Sequence, residues 1–175
     1  MKGITGFNKS NTLLNRVRTI VFGVLALSPL AASAQTDASM SFDIDISLST
    51  QALTTINETG ENLTMLVTYY GDPSPAGKKY VNDIGTVELV SKTIELNVPG
   101  EPIHVSGHDI TQSRLAWIND SVKVNVNLYS SRKASDDNIL DCDFIDDELK
   151  NVVSASPVPM HCSLISENRQ SNAKP

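Results

Sequence analysis

Aromatic side chains make up only 5 % of this 175-residue chain, and tryptophan occurs once. After residue 34 the rings are Phe42, Tyr69, Tyr70, Tyr80, Trp117, Tyr129 and Phe144. Only Tyr69 and Tyr70 are adjacent, which is thin support for a stacking platform for sugars or bases. Basic residues are also few, 14 Lys and Arg against 20 Asp and Glu. Binding to a phosphate backbone depends on Lys and Arg, so nucleic acid is excluded as a partner. No Gly-x-Ser-x-Gly elbow and no glycine-rich phosphate loop are present. These absences point away from an enzyme, and no cofactor is expected.

The longest apolar run, Thr19 to Ser28, is about half the ~20 residues that a spanning helix needs. It follows a leader holding Lys2, Lys9, Arg16 and Arg18 and no acid. Pro29 breaks the run, and Ala32-Ser33-Ala34 puts small residues at −3 and −1 before Gln35. This pattern reads as a secretory signal cleaved between Ala34 and Gln35. Cleavage leaves no stable membrane insertion and sends the chain to the periplasm or beyond. It removes four of the 14 basic residues and none of the 20 acids, so ten positive charges face twenty negative ones, a mature charge of −10. Residues 35–166 are expected to form one domain. Residues 167–175 are polar and expected to be a disordered tail.

Period-two patterning dominates the mature chain. Phe42, Ile44, Ile46 and Leu48 alternate with Asp43, Asp45 and Ser47, which marks a half-buried strand. Val122, Val124, Val126 and Leu128 repeat the pattern, and Leu63 to Tyr70 is a more apolar strand. Between Thr86 and Val98 the apolar phase switches from odd positions (Val87, Leu89) to even ones (Ile94, Leu96, Val98). One flat strand cannot bury both sets, so a bulge or break is predicted near Ser91-Lys92. A short strand follows at Ile103–Val105. Asp109 to Ile118 is read as one helical turn capped by Asp109, with Gln112 completing a box. Leu140, Cys142 and Phe144 share one face of a strand, and Val158, Met160, Cys162 and Leu164 share another. A helical turn is read between them at Asp146 to Lys150. The fold class expected is all-β: an antiparallel, immunoglobulin-like β-sandwich of seven or eight short strands with one core disulfide.

Cys142 and Cys162 are the only cysteines. In an exported protein an even count reads as a disulfide, and both fall on apolar strand faces. No Cys-x-x-Cys motif is present to activate a thiol. Met160, His161 and Cys162 carry copper-type donors, but strand alternation turns His161 away from its neighbours. His104 and His108 would stand about 13 Å apart along an extended strand and meet only if Gly107 bends the chain. The densest charge cluster runs from Asp136 to Glu148. Asp141 and Asp143 have the outward phase of Asp43 and Asp45. If their strands were neighbours, the four would make an acidic strip, a weak candidate for calcium. A solvated face that discourages edge-to-edge association is the plainer reading.

Ser91 to Leu96, Pro102-Ile103 and Asn119 to Val126 together resemble the general pattern of small immunoglobulin-like periplasmic chaperones, including those that restrain curli-type fibres. The likeness covers under half of the mature chain. It implies a non-enzymatic protein-binding domain, an envelope accessory or assembly factor. Its partner protein would be met through a sheet edge or the acidic face. A structural subunit of a surface fibre or coat, and a calcium- or metal-dependent binder or hydrolase, are the alternatives.

Overall fold

In the computed structural model, residues 40–97, 100–119 and 121–175 are described. The leader and the Ala34–Gln35 cleavage point lie outside them, as does Val98. The described chain is mostly β, with nine strands in two sheets. One sheet joins β4 (Ile103–Val105), β1 (Phe42–Leu48), β8 (Val158–Leu164) and β6 (Leu140–Cys142), in that order. The other joins β3 (Val87–Leu96), β2 (Leu63–Gly71), β5 (Lys123–Ser130), β7 (Phe144–Glu148) and β9 (Ala173–Lys174). Alternate residues of both sheets enter one core. Ile44, Met160 and Cys162 come from the first sheet, and Met65, Val67, Tyr69, Val124 and Val126 from the second. Burying aliphatic side chains of this size contributes roughly 1.5–3 kcal/mol each before entropy is counted.

The sheets are not purely antiparallel. β1 and β8 run parallel, as do β7 and β9. Hairpin logic favours antiparallel neighbours, but β1 and β8 are far apart in sequence, and a long crossover permits either direction. The phase switch in β3 is real and falls slightly earlier than Ser91-Lys92. Tyr69 pairs with Val90 and Tyr70 with Glu88, leaving Leu89 as the extra residue. Val87 and Leu89 are buried on one side of this bulge, and Leu96 on the other.

The strand read through Leu140, Cys142 and Phe144 is two strands. The backbone leaves the first sheet after Cys142, passes through Asp143 and joins the second sheet at Phe144. Asp146 and Asp147 extend β7, so the helical turn begins later, as α3 (Leu149–Ser154). The turn at α2 (Gln112–Leu115) is present, but its N-cap is Thr111 and it has no side-chain cap hydrogen bond. Asp109 instead pairs with Lys92 Nζ at 2.6 Å. A helix without a strong apolar stripe follows β1 directly, α1 (Thr50–Thr59). Ser49 Oγ accepts the Ala52 N–H at its start, and Gly60 takes the left-handed conformation (φ 73°) at its end.

Residues 167–175 are not a free tail. They turn at Asn168 (φ 50°) and return as β9 beside β7. Buried Asp143 supplies the reason. It accepts the Asn172 N–H at 2.8 Å and ion-pairs with Lys174 Nζ at 3.2 Å.

Candidate functional site

Cys142 and Cys162 form a disulfide, with Cα atoms 4.0 Å apart. They are directly paired residues of β6 and β8. Cys162 is fully buried, and Cys142 is partly buried against the core. The bridge therefore ties neighbouring strands of one sheet. Antibody-type domains place their bridge between sheets.

The four aspartates do not converge. β8 lies between β1 and β6, so Asp43 and Asp45 are separated from Asp141 by a whole strand. Asp43 receives His104, Nδ1 to Oδ1 at 2.8 Å. Asp143 turns inward at the corner and is 5 % exposed. Burial works against its charge. Amide hydrogen bonds from Asn172 and His161, and the contact with Lys174, outweigh that and hold its pKa below the usual value. Among the described residues, no group of three or more His, Cys, Asp or Glu is arranged to hold a metal ion.

His161 turns away from the core, as strand alternation requires, while Met160 and Cys162 are buried. Its Nε2 lies 2.8 Å from Arg169 Nη1 and its Nδ1 lies 2.9 Å from Ser47 Oγ. Arg169 can only donate, so a neutral ring carries its proton on Nδ1. Burial, then the Arg169 charge, lowers the His161 pKa. The ring is a structural link between β1, β8 and the C-terminal segment.

A second buried acid, Glu61, was not singled out by its sequence context. It accepts the N–H groups of Lys133 and Ala134 at 3.0 and 2.9 Å and so fixes the loop after β5. Burial again opposes the charge, but these amides, with Asn62 and Ser135, bring the pKa below its ordinary value.

A polar concavity lies on the outer face of the five-stranded sheet. Register sets its floor: Tyr70 opposes Glu88, Thr68 opposes Asn125, and Asn125 opposes Asp146. The space encloses about 380 Å³. Tyr70 donates its hydroxyl to Asp146 Oδ1 at 2.5 Å. Burial and this carboxylate push the phenol far above its usual range. One wall is the loop Asn82 to Thr86. Asn82 Oδ1 accepts the N–H groups of Ile84 and Thr86 at 3.2 and 3.0 Å, and Gly85 adopts φ 87°. The loop presents Ile84, which is 82 % exposed. A polar groove beside a lone apolar wall suits binding. Its lining groups include the Thr68, Tyr70 and Thr86 hydroxyls, the Asn82 and Asn125 amides and the Glu88 and Asp146 carboxylates.

Comparison with family models, curated proteins and solved structures finds no match to this chain.

Proposed function

We propose that this chain is an exported, non-enzymatic protein-binding domain that takes a partner segment onto an open sheet edge. β3 carries the reading. It spans ten residues at the border of the five-stranded sheet; β2 pairs along its length, and on the other side Val87 bridges to Val81 and the Leu89 carbonyl accepts the Arg114 guanidinium. The other three borders are β4, β6 and β9, of three, three and two residues. Short borders are a common protection against unwanted pairing. The stretch from Val90 to Leu96, paired on one side with β2, is long enough for strand addition, in which main-chain hydrogen bonds supply affinity and side chains supply selectivity.

Other features fit this reading. The disulfide suits an oxidising compartment, as does the leader. Among the described residues no helix is long and apolar enough to cross a membrane. The two sheets and their shared core fit an immunoglobulin-like sandwich whose staple has moved into one sheet. Ser91–Leu96, part of the segment resembling periplasmic chaperones, is the second half of β3. An accessory or assembly role in the cell envelope follows from that likeness.

A photo-cross-linking residue placed at Thr93 in intact cells tests this reading, with Glu58 on α1 as the control site. The reading expects a discrete adduct with one other protein at Thr93 and none at Glu58. Adducts only with a second copy of this chain would favour the fibre-subunit alternative. No adduct at Thr93, or equal capture at both sites, would overturn the proposal.

A further inference from the structure

We infer that the groove on the outer face of the five-stranded sheet receives a basic side chain, Arg or Lys, from a bound polypeptide. Three features converge there. The carboxylates of Glu88 and Asp146 both line the space, and neither forms an ion pair among the described residues. No Lys or Arg lines it. Lys123, the register neighbour of Tyr70, is drawn off to Asp72 at 2.8 Å. Lys123 still feels Asp146, but it is one cation among Asp72, Glu88 and Asp146, so the floor keeps an excess of negative charge.

The second feature is the wall. Ile84 stands on a loop held by the Asn82 side chain, so its apolar surface is fixed beside the acids. Lys and Arg combine a long apolar stem with a charged head, and such side chains lie along apolar surface while the head seeks polar partners. The third feature is Tyr70. Its hydroxyl is tied to Asp146, which holds the ring at the groove, where a cation can meet its face. A sugar would match the hydroxyl and amide groups of Thr68 and Asn125, but it would leave both charges unanswered. The volume, about 380 Å³, is at the small end of ligand sites and suits one side chain with its flanking backbone.

The polypeptide nature of the occupant rests on the edge-binding reading. The cation preference stands on the groove alone, and the probe below carries too little backbone to add a strand along β3. The probe is N-acetyl-arginine N-methylamide, titrated into the full mature chain while backbone amide resonances are followed. Saturable shifts are expected at Thr68, Tyr70, Thr86, Glu88, Asn125 and Asp146. The uncharged citrulline analogue should bind about two- to five-fold more weakly, the range of an exposed ion pair. Asp146→Asn and Glu88→Gln should each weaken arginine binding by a similar factor, and added salt should weaken it further. Ile84→Ser, at an exposed position that does not threaten folding, should weaken the arginine and citrulline probes alike. No saturable shifts, or equal binding of the citrulline analogue, would overturn the inference. Tighter binding of agmatine would assign the groove to a free amine and overturn the side-chain reading. Tighter binding of a neutral monosaccharide would overturn the charge argument.

Discussion

Asp143 accepts the backbone N–H of Asn172 at 2.8 Å, across 29 residues of sequence. The same carboxylate accepts the His161 N–H at 3.1 Å. One buried acid thus joins the corner between the sheets, the disulfide strand β8 and the C-terminal return. Replacing it with Ala leaves two amides without their acceptor and Lys174 without its charge partner. Asp143→Ala should cost about 2–3 kcal/mol, since hydrogen bonds to charged groups are the stronger kind. Amide exchange should quicken at Asn172 and Lys174 first. Unchanged exchange there would contradict the pinning of the tail.

Stability should fall in acid for a related reason. Asp143 and Glu61 both have folded-state pKa values below their ordinary 3.8 and 4.5. The unfolded chain therefore binds protons more readily than the folded chain as pH drops. Their contribution is complete above those ordinary values and is lost as pH falls through the depressed folded ones. Urea midpoints measured from pH 6 downward should decline below about pH 4.5. The decline should be smaller in Glu61→Gln, which starts from a lower plateau. The depressed His161 adds a loss with the same sign, beginning below its ordinary 6.5.

The disulfide closes a loop with sequence separation 20. Constraining a loop of that size stabilises a fold by roughly 3 kcal/mol. Reductant should lower the thermal midpoint, and a Cys142→Ala/Cys162→Ala pair should reproduce the loss. Thiol titration in denaturant should find no free cysteine until reductant is added. Two free thiols without reduction would contradict the bridge.

Gly77 packs against the backbone of Trp117 so closely that a Cβ would lie 1.8 Å from the Trp117 carbonyl oxygen. That oxygen also accepts the Ser74 N–H at 2.9 Å. Gly77→Ala must push the two segments apart, at about 1–3 kcal/mol. Tyr80 stacks on Trp117 with ring centroids 3.9 Å apart, so the displacement should change the emission of the chain's one tryptophan. Native-like emission and stability would refute the contact.

The strands were the most legible part of the sequence, because alternation directly encodes a buried face. Phe42–Leu48, Ile103–Val105 and Val158–Leu164 follow their apolar phase closely. The bulge was legible too, as a change of parity, although parity alone locates it only to a few residues. α1 was missed because its buried face is just Ala52 and Ile56, set among threonines. Ser49 and Gly60 were its available signals. The corner at Asp143 was invisible for a different reason. Alternation continues through it while the backbone changes sheets. Parallel neighbours and the docked tail depend on contacts far apart in sequence, which local pattern does not carry. The groove is likewise a product of register. Glu88, Tyr70, Asn125 and Asp146 come from four strands, and no local motif joins them.

Amide hydrogen exchange across β3 tests the central claim most directly. It should be measured on the purified chain alone and in complex with the protein captured through Thr93. The account predicts marked slowing within Val87–Leu96 on binding, with α1 unchanged. Unchanged exchange in β3, with protection appearing on another element, would contradict it.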